Sequence, residues 1–322
     1  KNEVIKFPPK PLTTSDMLSL AITRLKLPSN EIMRLAQDLF ESGLITYHRT
    51  DSYYISSVGY RIAEEYLKEN NLENLKKIRV YAEPGTHECI RPTRPLDVIK
   101  LENQIITGQL KVPIPLQRKH YILYDLIFRT FIASQMKEAK GIEVVIEFEP
   151  ITEEDFRIEF NPVRGLIEID ENSFAKIYYV SKREELKEIQ QTELEIIKVK
   201  RIFKRMYTED ELVKEMKEKR IGRPSTYATI IKKLKDHGYV YTLDLKEEKA
   251  LTISKKGEEV YKTLLKHYSW VLDTKLTEEF EEKMDIIENG METDVYKIFY
   301  HFIYKYYEKV LEEVKNIKVI ES

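Results

Sequence analysis

The hydrophobic period of this 322-residue chain changes twice, from helical to alternating and back to helical, and that double change limits what it can fold into. In the first part Ile32, Leu35, Ala36, Leu39 and Phe40 recur at helical spacing, one buried stripe of a helix that opens at Pro28-Ser29. Gly43 stops it as a left-handed cap would, and 44-LITYHR-49 continues as a strand or extended segment. An earlier helix, capped by Thr14 or Ser15 and running to about Leu25, follows an extended start containing Pro8, Pro9 and Pro11, and a further helix is expected around 57–69. Over 118–139 the apolar residues Tyr121, Leu123, Tyr124, Ile127, Phe128, Phe131 and Ile132 occupy more than one helix face, which predicts burial on two sides. From 141 to about 200 the pattern alternates, giving strands at 142–150, 156–160, 165–170, 175–180 and 193–200. The helical period then returns. A helix from 224 stops at Gly238 and leads into a strand, 250–265 gives a strand and a helix, and 276–318 is helical, ending in the amphipathic 294–314.

Strands gathered between helical regions make this an α+β multidomain chain. The helix, helix, strand, helix order near each end suggests two winged-helix-like units. The expected division is residues 1–117, then 118–200 as a helix plus antiparallel β region, then a mostly helical 201–322.

Composition removes several function classes. Cys89 is the only cysteine, so no intrachain disulfide and no cysteine-based zinc site can form. No apolar run approaches the roughly 20 residues that span a bilayer, and 1-KNEVIKFPPK-10 has no secretory pattern, so a cytoplasmic setting away from membranes is expected. Abundant Lys, Glu, Ile and Tyr with little Gln and Cys resembles the bias of proteins from hot sources. The net charge of −2 argues against a uniformly basic nucleic-acid binder, yet Lys198–Val240 holds thirteen Lys/Arg against six Asp/Glu. That stretch is either a phosphate-binding face or a solvated helix face.

The stretch 44-LITYHRTDSYYIS-56 carries the chemistry. Most tyrosines pack, and Tyr47 is one of 21. A phenol attacks a phosphodiester only if the developing charge is stabilised, and a guanidinium two residues along an extended segment projects to the same side as the attacking ring. Arg49 stands at that position.

The segment 42-SGLITYHRTDS-52 resembles the active-site segment of type IA DNA topoisomerases, and three further blocks match that family in its order: 8-PPKPLTTSDML-18, 86-THECIRPT-93 and 222-GRPSTYATIIKKLKDHGYV-240. The wording of 87-HECIRPTRP-95 and 121-YILYDLIFRTFIASQMK-137 is most similar to the topoisomerase half of reverse gyrase. The resemblance implies a fragment of a toroidal core, with the unit bearing Tyr47 as a gate and the β region as an arch. It implies Tyr47 as the nucleophile that bonds to a 5′ phosphate, Arg49 steadying that phosphate and His87 near the cleavage site. Thr50, Ser52, Arg91, Arg223, Ser225 and Thr226 are the implied DNA contacts. For Arg91 the favoured role is to brace Glu88; Ser225 is read as the cap of the helix entered through Gly222 and Pro224, and His237 stands where many relatives carry arginine. The family also uses Mg²⁺ held by a toprim domain, whose Asp-x-Asp pair this sequence lacks. A toprim-bearing N-terminal half, single-stranded DNA and, for ATP-driven supercoiling, a helicase-like domain are therefore the expected partners, and the chain is expected to be a fragment or split-gene product. The competing class is a non-catalytic winged-helix DNA-binding protein in which Tyr47 stacks on a base. A tyrosine recombinase is disfavoured because His87 and Arg91 follow the tyrosine.

Overall fold

A computed structural model describes residues 1–85, 87–147, 162–187, 206–244, 249–288, 290–292 and 294–320. The chain forms two compact units, residues 1–17 with 34–203 and residues 18–33 with 204–322. Among the described residues no helix is long and apolar enough to cross a membrane.

The early helices form where their stop signals place them. They are α1 (Thr14–Leu25), α2 (Ser29–Glu41) and α3 (Ser57–Glu69), and Gly43 ends the second with φ of 66°. The apolar stripe of α2 is buried at Ile32, Leu35, Ala36 and Leu39. In the first unit α4 (Val98–Ile106) leads to α5 (Arg118–Ser134), which is buried from Leu123 to Ser134 on several faces, as its apolar circumference predicts. His120 anchors it: Nδ1 accepts from the Gln117 amide at 2.9 Å, so Nε2 carries the proton and donates to Asp38 of α2 at 2.9 Å.

A three-stranded antiparallel sheet follows, with β2 (Ala139–Ile146) between β1 (Asn2–Lys6) and β3 (Val163–Ile169). Val144 and Ile167 turn to one face and pack on Leu186. The strand β1 was not foreseen, because five residues ahead of a proline run carry too little alternation to be read alone. The strand expected at 175–180 is not formed. Phe174–Lys176 is a single 3₁₀ turn capped by the Ser173 hydroxyl, and Arg129 Nη1 takes the Ile177 carbonyl at 3.0 Å. The strands expected at 156–160 and 193–200 lie outside the described residues.

In the second unit, α6 (Glu209–Glu218) starts at a Thr208/Glu211 capping box, then α7 (Tyr227–Asp236) stops at Gly238 with φ of 69°. The hairpin β4 (Val240–Asp244) and β5 (Lys249–Ile253) comes next, then α8 (Lys255–His267), α9 (Thr274–Glu288) and α10 (Val295–Ile320). This helix, helix, hairpin, helix order is the winged-helix-like layout. Ser225 does not cap α7: Thr226 holds that position, and its hydroxyl is turned to the Arg223 backbone, accepting from its amide at 2.8 Å, rather than to a helical amide.

Three segments far apart in sequence are sewn together in the first unit. Leu12 bridges Ile90, whose amide donates to the Leu12 carbonyl at 2.8 Å, and Ile45 bridges Pro92. Thr46 donates its amide to Arg91 O at 2.9 Å and its hydroxyl to Cys89 O at 2.7 Å. At the start of α1 the fully buried Thr14 closes the set. Its amide donates to Thr50 O at 2.8 Å, and its hydroxyl accepts from the Thr50 amide at 2.9 Å and lies 2.8 Å from His48 O. Thr14→Val keeps the volume but strands a buried amide, so a loss of about 1–3 kcal/mol is expected in urea unfolding followed by circular dichroism, against no change for an exposed Thr→Val control.

Candidate active site

The chain from Tyr47 to Thr50 alternates between solvent and interior. Tyr47 is 39% exposed and Arg49 is exposed, whereas His48 and Thr50 are buried at 0% and 2%. The strand or extended segment expected at 44–49 is not formed: beyond the single bridge at Ile45 the backbone bends at Thr46, His48 and Arg49, and Thr14 holds it from the inside through His48 O and the Thr50 amide. Tyr47 and Arg49 are thus the two exposed residues of the four. Arg49 makes no hydrogen bond or ion pair with any described residue, which leaves its planar fork for an external anion.

Three rings surround the Tyr47 phenol. Phe40, in the last turn of α2, meets it edge-on at 5.3 Å between centroids, and His48 lies at 5.7 Å. The third is His87, forty residues away in sequence, at 5.6 Å. His87 is exposed, so an imidazole with ring nitrogens open to solvent stands beside the phenol. Phe40 was expected only as part of the buried α2 stripe and is half-buried against Tyr47, and His48 was not singled out from the sequence.

Residues beyond Thr50 hold this segment in place. Tyr53 is pushed up to about 12, first by burial and then by its hydrogen bond to Asp16 and that carboxylate's charge, so its phenol is held protonated. Asp16 also accepts from the Thr13 hydroxyl at 2.6 Å. Tyr47 and Tyr53, six residues apart, thus differ in role: one is open to solvent and the other is a donor inside the fold.

Arg91 is 4% exposed and turned inward. Its Nε and Nη2 grip Glu88 at 2.7 and 2.9 Å, Nη1 donates to Pro92 O at 3.0 Å, and Nη2 reaches the Ser56 hydroxyl. Burial pushes the Glu88 carboxyl up, but the bonds from Arg91 and Ser56 outweigh it and hold the group below its ordinary range. Because Ser56 caps α3, this fork ties the 87–93 segment to that helix. Thr50 is equally internal, its hydroxyl accepting from the Ser52 amide, while Ser52 is half-buried and accepts from the Tyr54 amide.

The remaining expected contacts lie in the second unit. Ser225 and Thr226 are exposed at the start of α7. Arg223 is joined to Glu281 and, at 2.6 Å, to Asp285, both on α9, so it ties the segment before α7 to that helix. His237 stacks on Tyr239 at 5.6 Å. Among the described residues no three or more His, Cys, Asp or Glu side chains gather as metal ligands would.

Comparison with known proteins agrees with this construction. A sequence model of the DNA topoisomerase family matches residues 1–296. The chain is 39% identical to Reverse gyrase 1 of Aquifex aeolicus (strain VF5), over 91% of this chain and 24% of that protein. It is 37% identical to the reverse gyrase of Pyrococcus furiosus, over 96% of this chain and 25% of that protein. The structure of full-length topoisomerase I from Thermotoga maritima superposes with a TM-score of 0.70 at 27% identity, covering 97% of this chain and 50% of that one. The chain thus spans about a quarter of the length of these two reverse gyrases.

His48 gives the site a pH dependence. Neither ring nitrogen has a hydrogen-bond partner among the described residues, and burial, then the Arg49 charge, pushes the imidazole down to about 4 from 6.5. The unfolded chain binds this proton more readily than the folded one, so stability falls as pH drops below about 6.5 and the loss is complete near 4. In His48→Met that contribution is absent: relative to the native chain, the variant should gain up to about 3 kcal/mol between pH 7 and pH 4 in urea unfolding.

Proposed function

The chain belongs to the type IA DNA topoisomerase family, and from that membership we propose that Tyr47 is the nucleophile of a transient single-strand DNA break. The observation that carries this reading is the exposure of both Tyr47 and Arg49 in one short segment, with the His87 ring brought against the phenol. The Tyr47 oxygen attacks the phosphorus, a phosphotyrosine bond to the 5′ phosphate forms, and the bond to the 3′ oxygen breaks. The phenol proton leaves as the 3′ hydroxyl is released, with His87 as the group beside the phenol that can pass it. Arg49 neutralises charge on the phosphate oxygens as the transition state forms, the role for which a preorganised donor is most effective. One ester replaces another of similar energy, so the released hydroxyl reverses the step without ATP, and a strand passes while the break is held.

The finer assignment is to the topoisomerase part of a reverse gyrase. It is supported by 37–39% identity to the two reverse gyrases over more than nine-tenths of this chain. In this reading a toprim-bearing part of the enzyme holds Mg²⁺ and a helicase-like part supplies ATP-driven positive supercoiling. Among the described residues no three or more His, Cys, Asp or Glu side chains gather as metal ligands would, and in this reading the ion is assigned to the toprim-bearing part. Ser225 through its hydroxyl, and Thr226 at the exposed start of α7, would meet the backbone of single-stranded DNA, although the Thr226 hydroxyl itself is engaged by the Arg223 backbone. Thr50 and Arg91 act on that strand only through the segments they hold.

The test is adduct trapping. With the toprim-bearing part and Mg²⁺ supplied, the native chain should give a denaturant-stable complex with single-stranded DNA, and Tyr47→Phe should give none while binding the strand within about twofold of the native chain. An adduct that persists in the variant would overturn the assignment. Native protein that binds DNA without ever forming one would favour the non-catalytic winged-helix reading.

A further inference from the structure

Arg223 lies in the segment that leads into α7, and its guanidinium is committed to α9. Its Nε donates to the Glu281 carboxylate, and Nη2 donates to the Glu281 carbonyl at 2.9 Å and to Asp285 at 2.6 Å. Glu281 and Asp285 are four residues apart on the helix, so one face of α9 presents both carboxylates side by side. Arg220 makes a similar contact, its Nη1 reaching Glu282 at 3.3 Å. The backbone here is tightly turned. Arg220 and Gly222 have φ of 51° and 78°, and a side chain at 222 would begin 2.8 Å from the Thr226 hydroxyl and 2.9 Å from Ile230 Cδ1. The Arg223 amide donates to the Thr226 hydroxyl at 2.8 Å, and its carbonyl accepts from the amides of Thr226 at 2.8 Å and Tyr227 at 3.1 Å. Arg223 is thus fixed twice, by its backbone in the turn that opens α7 and by its side chain on α9, and Ser225 stands exposed on that turn.

We propose that Glu281 and Asp285 are positioning residues for phosphate binding at the start of α7. They hold Arg223, and through its backbone the turn that presents Ser225, while the Arg223 guanidinium itself stays on α9 when DNA binds. The inference rests on the reading of that turn as a contact to single-stranded DNA, and it changes the part that Arg223 plays there, from a cation on a phosphate to a brace beneath the groups that meet one.

Two physical arguments favour the brace. A phosphate oxygen brought to this guanidinium would also face two carboxylates already within hydrogen-bond distance of it, and their repulsion offsets the attraction of a single cation. Arg220, next in line, is paired with a third carboxylate in the same way. The second argument is order. A turn fixed before the strand arrives loses little freedom on binding, and donors held in place hold an anion better than mobile ones. The left-handed residues at 220 and 222 cost backbone freedom that the α9 contacts offset.

The test is the sign of a charge effect. Binding of a short single-stranded DNA is followed by fluorescence anisotropy over a salt series, with the toprim-bearing part supplied and Tyr47→Phe present throughout so that no adduct accumulates. Glu281→Gln with Asp285→Asn removes two negative charges, so electrostatics alone would tighten binding. The brace predicts the opposite, a weakening of about tenfold, the scale of one hydrogen bond to a charged group. Arg223→Gln should weaken binding to the same degree, and the three changes together no further, because they break one contact. In each variant the slope of log affinity against log salt should remain that of the parent. Asp285→Asn alone keeps the Glu281 bond and should show a smaller loss with unchanged circular dichroism, and Glu278→Gln on the same helix should show none. Tighter or unchanged binding in the Glu281/Asp285 variant or in Asp285→Asn would overturn the proposal. So would a slope shallower by about 0.7 in Arg223→Gln, the share of one lost phosphate contact on a single strand. A parent that binds no single-stranded DNA would overturn the DNA reading itself, whereas a parent that binds and variants that match it would overturn only the brace.

Discussion

The site depends on one contact between two threonines. Thr14, at the start of α1, exchanges hydrogen bonds with Thr50 through both its amide and its hydroxyl, at 2.8 and 2.9 Å, in a place with no solvent. A bent segment without a neighbouring strand has backbone groups that must be satisfied by something else, and a buried hydroxyl beside a helix start supplies both a donor and an acceptor. With the His48 carbonyl and the Thr50 amide both held by the Thr14 hydroxyl across the bends at 48 and 49, His48 is inside, and Tyr47 and Arg49 are outside. The reactive pair is therefore presented by a constraint on the residues that do not react.

A second constraint comes from charge. Arg49 is left without an internal partner among the described residues, whereas Arg91 is held by a bidentate bond to Glu88 and by the Pro92 carbonyl. Two arginines in neighbouring motifs thus do opposite work. A buried guanidinium is stable only when its donors are matched, and an exposed one is available to a phosphate at little desolvation cost. The same division separates Tyr47 from Tyr53, whose phenol is committed to Asp16.

Much of this was legible in the residues. The stops at Gly43 and Gly238 and the α3 boundaries followed from local signals, because a left-handed glycine or a serine cap acts over a few residues. The convergence of the 12–17, 44–56 and 87–93 segments was suggested only by resemblance to a family; its physical cause, backbone pairing across some 80 residues, leaves no period in the sequence. The strand expected at 175–180 failed for the same reason, since alternation shows that a segment can pair and not that a partner is present. Ser225 was a reasonable cap by type, but helix α7 begins one residue later and the available hydroxyl turned to the Arg223 backbone. The buried, unpartnered His48 was invisible to composition, because a histidine between a tyrosine and an arginine reads as polar surface until the backbone direction is known.

The central claim is that alternation along residues 47–50 leaves Tyr47 as the residue that reacts with DNA. It is tested most directly by peptide mass spectrometry of the covalent complex formed by the assembled enzyme on single-stranded DNA and trimmed by nuclease. The account predicts a nucleotide joined through its 5′ phosphate to Tyr47, within a peptide that also contains unmodified Tyr53 and Tyr54. A nucleotide on either of those tyrosines, or one joined through a 3′ phosphate, would contradict it.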